Sequence, residues 1–178
     1  MTEYSYDQRI PKDRVAVLIG KNGKVKKQIA ELTKIKIDVD SGEGDVTLSG
    51  DDALNLFTTK EIIKAIGRGF NPDIALLLIK QDYSFELIDI TEYDKGKNHL
   101  KRLKGRIIGA EGKARKIIED LTETYISVYG KTVGIIGLPE SVAVARKALE
   151  SLLSGSPHSS VYKWLEKNRR DLKQGNLL

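Results

Sequence analysis

The sequence predicts an α+β fold built as two tandem β-α-α-β-β-α units, each a three-stranded antiparallel sheet packed on three helices. One observation behind this is an internal repeat. Leu18-Ile19-Gly20-Lys21-Asn22-Gly23-Lys24-Val25-Lys26-Lys27-Gln28-Ile29 returns as Ile107-Ile108-Gly109-Ala110-Glu111-Gly112-Lys113-Ala114-Arg115-Lys116-Ile117-Ile118, a constant 89 positions later. A period of that length is domain-sized rather than a solenoid repeat. The other observation is that apolar periodicity changes from helical to alternating in the same order around both copies.

In the first copy, Tyr4 to Ile10 reads as a strand ending before Pro11, and Arg14 to Ile19 as a short helix closed by Gly20. Beyond Gly23, Val25, Ile29 and Leu32 recur at helical spacing and predict an apolar stripe on a helix ending near Thr33. Ile35, Ile37 and Val39 alternate with polar residues, and Val46 and Leu48 resume the alternation after Gly42-Glu43-Gly44, the pattern of a hairpin. Gly50-Asp51-Asp52 then offers an N-cap for a helix carrying Leu54, Phe57, Ile62, Ile63 and Ile66.

The second copy repeats the order. A strand around Phe85 to Ile90 precedes a helix from about Asn98, with Leu100, Leu103 and Ile107 on one face. Beyond Gly109 to Gly112 comes a helix through Ile117 and Leu121, then alternating segments at Ile126 and Val128 and at Val133 and Ile135. Pro139 opens a last helix through Val142, Ala145, Leu149 and Leu152. Two segments lie outside the repeat. Asn71-Pro72 starts a linking helix near residues 71–79, expected to pack between the domains, and Ser156-Pro157 starts a basic helical tail containing Trp164. The expected division is 1–82 for the first domain with its linking helix, 83–155 for the second, and 156–178 for the tail.

Lys and Arg total 30 against 25 for Asp and Glu, a net charge of +5 that falls wholly in residues 84–178, so a polyanion should feel the second half more strongly. The absence of cysteine removes disulfides and thiolate chemistry and fits an intracellular, cytoplasmic protein. The first residues show no secretory leader, and the longest apolar run, Ile74 to Ile79, is far too short for a membrane span.

The repeated Ile-Gly-x-x-Gly carries the chemistry. Two glycines without side chains let the backbone between two helices approach a sugar-phosphate chain, and the second helix presents its N-terminal N–H groups to the anion. Lys21, Asn22, Lys24 and Lys27 supply donors around the first loop. In the second, Ala110 and Glu111 replace the donor pair and Glu111 opposes a phosphate, while Lys101, Arg102, Lys104, Arg106, Lys113, Arg115 and Lys116 form a denser basic field. Tyr125 and Tyr129, on one face of the following strand, are candidates for base stacking or for ordinary surface tyrosines. Trp164 reads as a packing anchor.

Enzyme signatures are missing. Neither glycine loop has the spacing of a phosphate-binding Walker loop or of a dinucleotide fingerprint. His99 and His158 have no partner at metal-ligand spacing, and Asp38, Asp40 and Asp45 read as a solvated strand face, so no metal, cofactor or catalytic residue is expected.

With Gly-x-x-Gly set between two helices twice, each copy resembles the K-homology (KH) family of single-stranded nucleic-acid-binding domains, type I. The chain as a whole is similar to the two-KH ribosome-assembly proteins known as partners of the Nob endonuclease. That resemblance rests on Leu103 to Gly109 with Gly112-Lys113, on the Asn71-Pro72 helix, and on Ser154-Gly155-Ser156-Pro157-His158-Ser159-Ser160-Val161-Tyr162. The intact Gly20 to Gly23 loop resembles archaeal rather than eukaryotic members. The resemblance implies an RNA-binding protein that grips the 3′ end of small-subunit ribosomal RNA without cleaving it, with the Nob endonuclease and the alpha subunit of translation initiation factor two as partners. It places phosphates at Gly20, Lys21, Asn22, Gly23, Lys24 and Lys27 and at Arg106, Gly109, Ala110, Gly112, Lys113, Arg115 and Lys116, over a floor of Ile19, Ile29, Ile108 and Ile118. The competing class is an assembly scaffold in which one or both copies face protein, which Glu111 and the acidic residues from Asp38 to Asp45 favour.

Overall fold

A computed structural model describes residues 2–94 and 96–175, so the end of the tail, 176–178, lies outside the described residues. The chain divides into two compact units, 1–83 and 84–178. In the first unit β1 (Tyr4–Arg9), β2 (Lys36–Asp40) and β3 (Asp45–Gly50) form an antiparallel sheet in the order β1-β3-β2. Helices α1 (Lys12–Ile19), α2 (Lys24–Thr33) and α3 (Ala53–Gly67) pack on one face of it. The hairpin register pairs Ile37 with Leu48 and Val39 with Val46. That register turns Ile37, Val46 and Leu48 inward to meet Val15, Leu18, Ile29, Ile62, Ile63 and Ile66, all buried. Each such side chain contributes about 1.5–3 kcal/mol on leaving water.

Local chemistry fixes the element ends. Asp52 caps α3, accepting from the amides of Leu54 at 2.8 Å and Asn55 at 3.0 Å. Asn71 accepts from Asp73 N at 2.9 Å and starts the short α4 (Pro72–Ala75), which continues as a 3-10 turn over Leu76–Ile79 and folds back on α3. The linking segment thus contributes Ala75 and Leu78 to the first unit's buried residues.

The second unit repeats this plan with β4 (Ser84–Asp89), α5 (Lys97–Ile108), α6 (Lys113–Thr122), β5 (Tyr125–Tyr129), β6 (Thr132–Gly137) and α7 (Pro139–Leu153), strand order β4-β6-β5. It then adds α8 (His158–Lys173), which lies against α6 and α7 and buries Val161 and Leu165 in the same core as Ile118, Leu149 and Leu152. The tail is therefore an integral layer of the second unit. Trp164 is partly buried against that core, with the Lys147 ammonium 5.2 Å from its ring centre.

Three expected core positions are corrected. Leu32, placed on the apolar stripe of α2, is 54% exposed, because its counterpart Leu121 is sheltered in the second unit, where α8 lies on α6, and the first unit has no such helix. Leu54 and Phe57, expected to point inward from α3, are 60% and 57% exposed.

Candidate nucleic-acid interface

The two Gly-x-x-Gly loops have one backbone conformation. Gly20 and Gly109 sit at φ 75° and 74°, Asn22 and Glu111 at 57° and 55°, Gly23 and Gly112 at 73° and 77°. Three residues at positive φ in each loop fold the chain into a single 3-10 turn between two helices. The two glycines do different work. A Cβ on Gly20 would lie 2.5 Å from Val25 Cγ2 and one on Gly109 2.7 Å from Ala114 Cβ, so the first glycine lets the turn close on its own helix. A Cβ on Gly23 or Gly112 would meet nothing within 4 Å, so the second glycine serves the left-handed turn and leaves its outer surface free.

Neither α2 nor α6 has a capping side chain or an acidic residue in its first turn. The loop turns use the amides at the helix starts, since Gly23 and Lys24 N–H donate to Gly20 O and Lys21 O, and Gly112 and Lys113 N–H to Gly109 O and Ala110 O, so each helix start offers a ligand the positive end of its dipole. Lys21, Asn22, Lys24 and Lys27 stand exposed around the first loop, and Ala110, Lys113 and Lys116 around the second. Helix-dipole ends beside ammonium groups make a surface that is electrostatically suited to an extended polyanion.

Two arginines grouped with the phosphate ligands have intramolecular tasks. Arg106 donates to Leu152 O at 3.0 Å and to Ser156 O at 2.6 Å, tying α5 to the end of α7. Arg14 does the same in the first unit, donating to Ile66 O at 2.8 Å and Phe70 O at 2.9 Å, although it lies at a different place in the repeat. Arg115 donates to Ile126 O at 3.2 Å and sits 3.5 Å from Glu119. Burial pushes the Glu119 carboxyl above the ordinary glutamate range, opposed by Arg115 and by a hydrogen bond from the Ile126 amide.

Of the expected apolar floor, Ile19 and Ile108 are half-buried beside the loops, whereas Ile29 and Ile118 are wholly buried and belong to the core. Tyr125 and Tyr129 share the sheet face opposite the one that turns Ile126 into the core, and Tyr125 is 42% exposed. The acidic residues of the first hairpin are accounted for locally. Asp45 pairs with Arg9 at 2.7 Å, and this hydrogen bond holds its carboxyl below the usual range. Asp40 accepts from the amides of Gly42 and Glu43, and Asp38 lies 3.5 Å from Lys36. His99 pairs with Asp94. No cluster of three metal-ligating side chains occurs among the described residues, and no helix among them is long and apolar enough to cross a membrane.

The repeat gave no sign of a cavity of about 660 Å³ on the α8 side of the second loop, lined by Arg102, Ala110, Lys113, Ile117, His158 and Tyr162. His158 Nε2 meets Arg106 O at 2.8 Å and packs edge-to-face on Tyr162. The Ser156-Pro157 helix start announced α8, but only its packing on α6 brings an aromatic residue to a glycine loop.

Residues 7–67 match the KH domain family, and residues 84–170 match the eukaryotic type KH domain, type I. A KH domain-containing protein of Methanocaldococcus jannaschii is 48% identical over 170 residues, covering 93% of this chain and 74% of that protein. The pre-rRNA-processing protein pno1 of Aspergillus fumigatus is 32% identical over 84% of this chain, which spans 56% of the fungal protein. The structure of Dim2p in an a/eIF2alpha–Dim2p–rRNA complex from Pyrococcus horikoshii superposes with a TM-score of 0.89 at 43% identity, covering 95% of this chain and 96% of that one. With KH domains in both halves and near full-length likeness to archaeal relatives, the chain belongs to the Pno1/Dim2 family of two-KH-domain proteins.

Proposed function

We propose that the protein is a single-stranded RNA-binding factor of ribosome assembly that grips the 3′ end of small-subunit ribosomal RNA in the cytoplasm and holds it for processing without cutting it. The observation that carries this reading is the pair of superposable glycine loops, each opening an uncapped helix among exposed lysines. Phosphates sit against the loops from Gly20 to Lys24 and from Gly109 to Lys113, at the positive ends of α2 and α6, with Lys21, Asn22, Lys27 and Lys116 closing on the strand. The likeness to a protein solved with rRNA and a/eIF2alpha supports the choice of RNA and of that initiation factor subunit as a partner. The Nob endonuclease is the partner that would cut the strand held here.

The test is affinity for a single-stranded RNA matching the 3′ end of the small-subunit RNA, in wild type, Lys21→Asp/Asn22→Asp and Ala110→Asp. Asn22→Asp suits the left-handed backbone at φ 57°, and Lys21, Asn22 and Ala110 are exposed, so all three changes act through charge rather than packing. Each variant is expected to lose about tenfold or more in affinity, about 1.4 kcal/mol. Unchanged affinity in both would sink the reading.

Protein contact as a second activity is favoured by one observation. On the first unit Tyr6 and Phe57, both exposed, flank Lys60, whose ammonium lies 4.7 and 5.6 Å from their rings. The matching place in the second unit holds an ion pair, Glu86 with Arg146 at 2.8 Å. Association through the apolar place would respond little to salt, whereas RNA binding falls steeply with it.

A further inference from the structure

Helix α6 turns different residues to its two sides. Arg115 reaches toward β5, donating to Ile126 O. Lys113, Ala114 and Ile117 instead line the cavity on the α8 side, whose volume of about 660 Å³ falls in the range of small-ligand sites. His158 and Tyr162 form its aromatic wall, one turn apart on α8 with ring centres separated by 6.0 Å. A carbonyl oxygen only accepts, so His158 Nε2 carries a proton and donates it to Arg106 O at 2.8 Å, which holds the imidazole in place beside Tyr162. Arg102 and Lys113 bring two cations from α5 and α6. Their side chains and the Tyr162 hydroxyl make no hydrogen bond or ion pair among the described residues.

Gly105, in the interior of α5, also lines the cavity. Glycine inside a helix weakens it, and no packing demands one here, because a Cβ at this position would meet nothing within 4 Å. Its effect is to widen the cavity. The first copy keeps only one part of the arrangement. The positions matching Arg102, Gly105, Lys113 and Ile117 are Asp13, Ala16, Lys24 and Gln28, of which Asp13 reverses a charge and Gln28 is exposed, and no helix of the first unit takes the place of α8. The second loop and the cavity share Gly109, Ala110 and Lys113. Ala110, where the first loop has Lys21, puts only a methyl group between the outer surface of the loop and the cavity.

We propose that this cavity is a nucleotide subsite of the second copy: the strand that meets the Gly109–Gly112 loop turns over Ala110 and lays a flanking base on Tyr162 and His158, with the adjoining phosphate on Arg102 and Lys113. The inference rests on the RNA reading above. Aromatic rings stack on any base, and uncommitted cations hold a phosphate. The Tyr162 hydroxyl is left to hydrogen-bond the base edge or the sugar. Because the cavity is continuous with the loop, the occupant it fits is the strand already held there rather than a nucleotide from solution.

Substitution of 2-aminopurine, one position at a time, along a single-stranded RNA matching the 3′ end of the small-subunit RNA tests this with the full chain. Stacking quenches its fluorescence. At saturating wild-type protein one flanking position should be quenched, and Tyr162→Leu, which removes the ring, and Gly105→Leu, which fills the cavity, should each restore its signal and lower affinity by about tenfold. Gly105→Leu should keep or raise the thermal midpoint, so its lost affinity is not lost folding. Arg102→Ala should lower the salt slope by about one. No position answering to Gly105→Leu, or an affinity that this variant leaves unchanged, overturns the inference, and if Tyr162→Leu does not fold by circular dichroism Gly105→Leu decides alone. Adenosine 5′-monophosphate that binds RNA-saturated wild type but not Gly105→Leu would give the cavity to a free nucleotide and overturn the strand's claim to it. A wild type that binds no RNA removes the RNA reading and this inference together, whereas firm, salt-dependent binding with no position sensitive to either variant removes this inference only.

Discussion

Gly20 and Gly23 look interchangeable in the sequence, yet their surroundings assign them opposite sensitivities. Gly20→Ala would drive a methyl group to 2.5 Å from Val25 Cγ2 and 2.9 Å from Val25 N, at φ 75°. Overpacking and left-handed strain together should cost about 3 kcal/mol. Gly23→Ala meets open space and carries only the left-handed penalty, about 1 kcal/mol. Its methyl would stand where the loop surface is free for a phosphate. Guanidinium unfolding midpoints should therefore fall mainly for Gly20→Ala, while RNA affinity per folded molecule should fall mainly for Gly23→Ala. The reverse ranking would mean that the free surface of the loop is not the one that meets RNA. The motif itself was legible in the sequence, but this division was not, since it depends on which way each absent Cβ would point.

At the scale of elements, the same fastening is reached from different sequence positions. Arg14 and Arg106 each donate twice to carbonyls at and beyond the C-terminal end of the third helix of their unit, although one lies six residues before its loop and the other three. Charge alone placed Arg106 among the phosphate ligands, because composition does not distinguish a guanidinium spent on carbonyls from one facing solvent. Two variants separate the tasks. Arg106→Ala should cost about 2 kcal/mol of stability, the range for hydrogen bonds from a charged donor, and leave the salt dependence of RNA binding unchanged. Lys113→Ala, at an exposed first-turn position of α6, should spare stability and lower the salt slope by about one. A lowered slope for Arg106→Ala would return it to the RNA interface. Helix and strand order were readable from periodicity. Leu32 was misplaced, because an apolar residue at helical spacing implies burial only where some element covers it, and α8 covers only the second unit's counterpart.

For the whole molecule, duplication carries a consequence that neither unit has alone. Two clamps on one chain turn the second contact into an intramolecular event, so an RNA long enough to reach both loops should bind far more tightly than one that fills a single loop, by as much as 10² to 10⁴ where the geometry permits. The sequence announced the two loops through its 89-residue register and displaced the charge excess into the second half. It also showed that the electrically weaker first half keeps the donor pair Lys21 and Asn22, but not that the stronger half spends Arg106 and Arg115 on its own backbone. The clamps should accordingly be closer in strength than the charge split of zero against +5 suggests. Measured against single-stranded RNAs of increasing length, wild-type affinity should climb steeply once both loops are engaged and then level off. Lys21→Asp/Asn22→Asp and Ala110→Asp should each flatten that climb to the shallow rise of a single clamp, and by comparable amounts. A wild-type curve without a steep rise would mean that only one loop binds at a time, and a climb abolished by one variant but untouched by the other would identify a single working clamp.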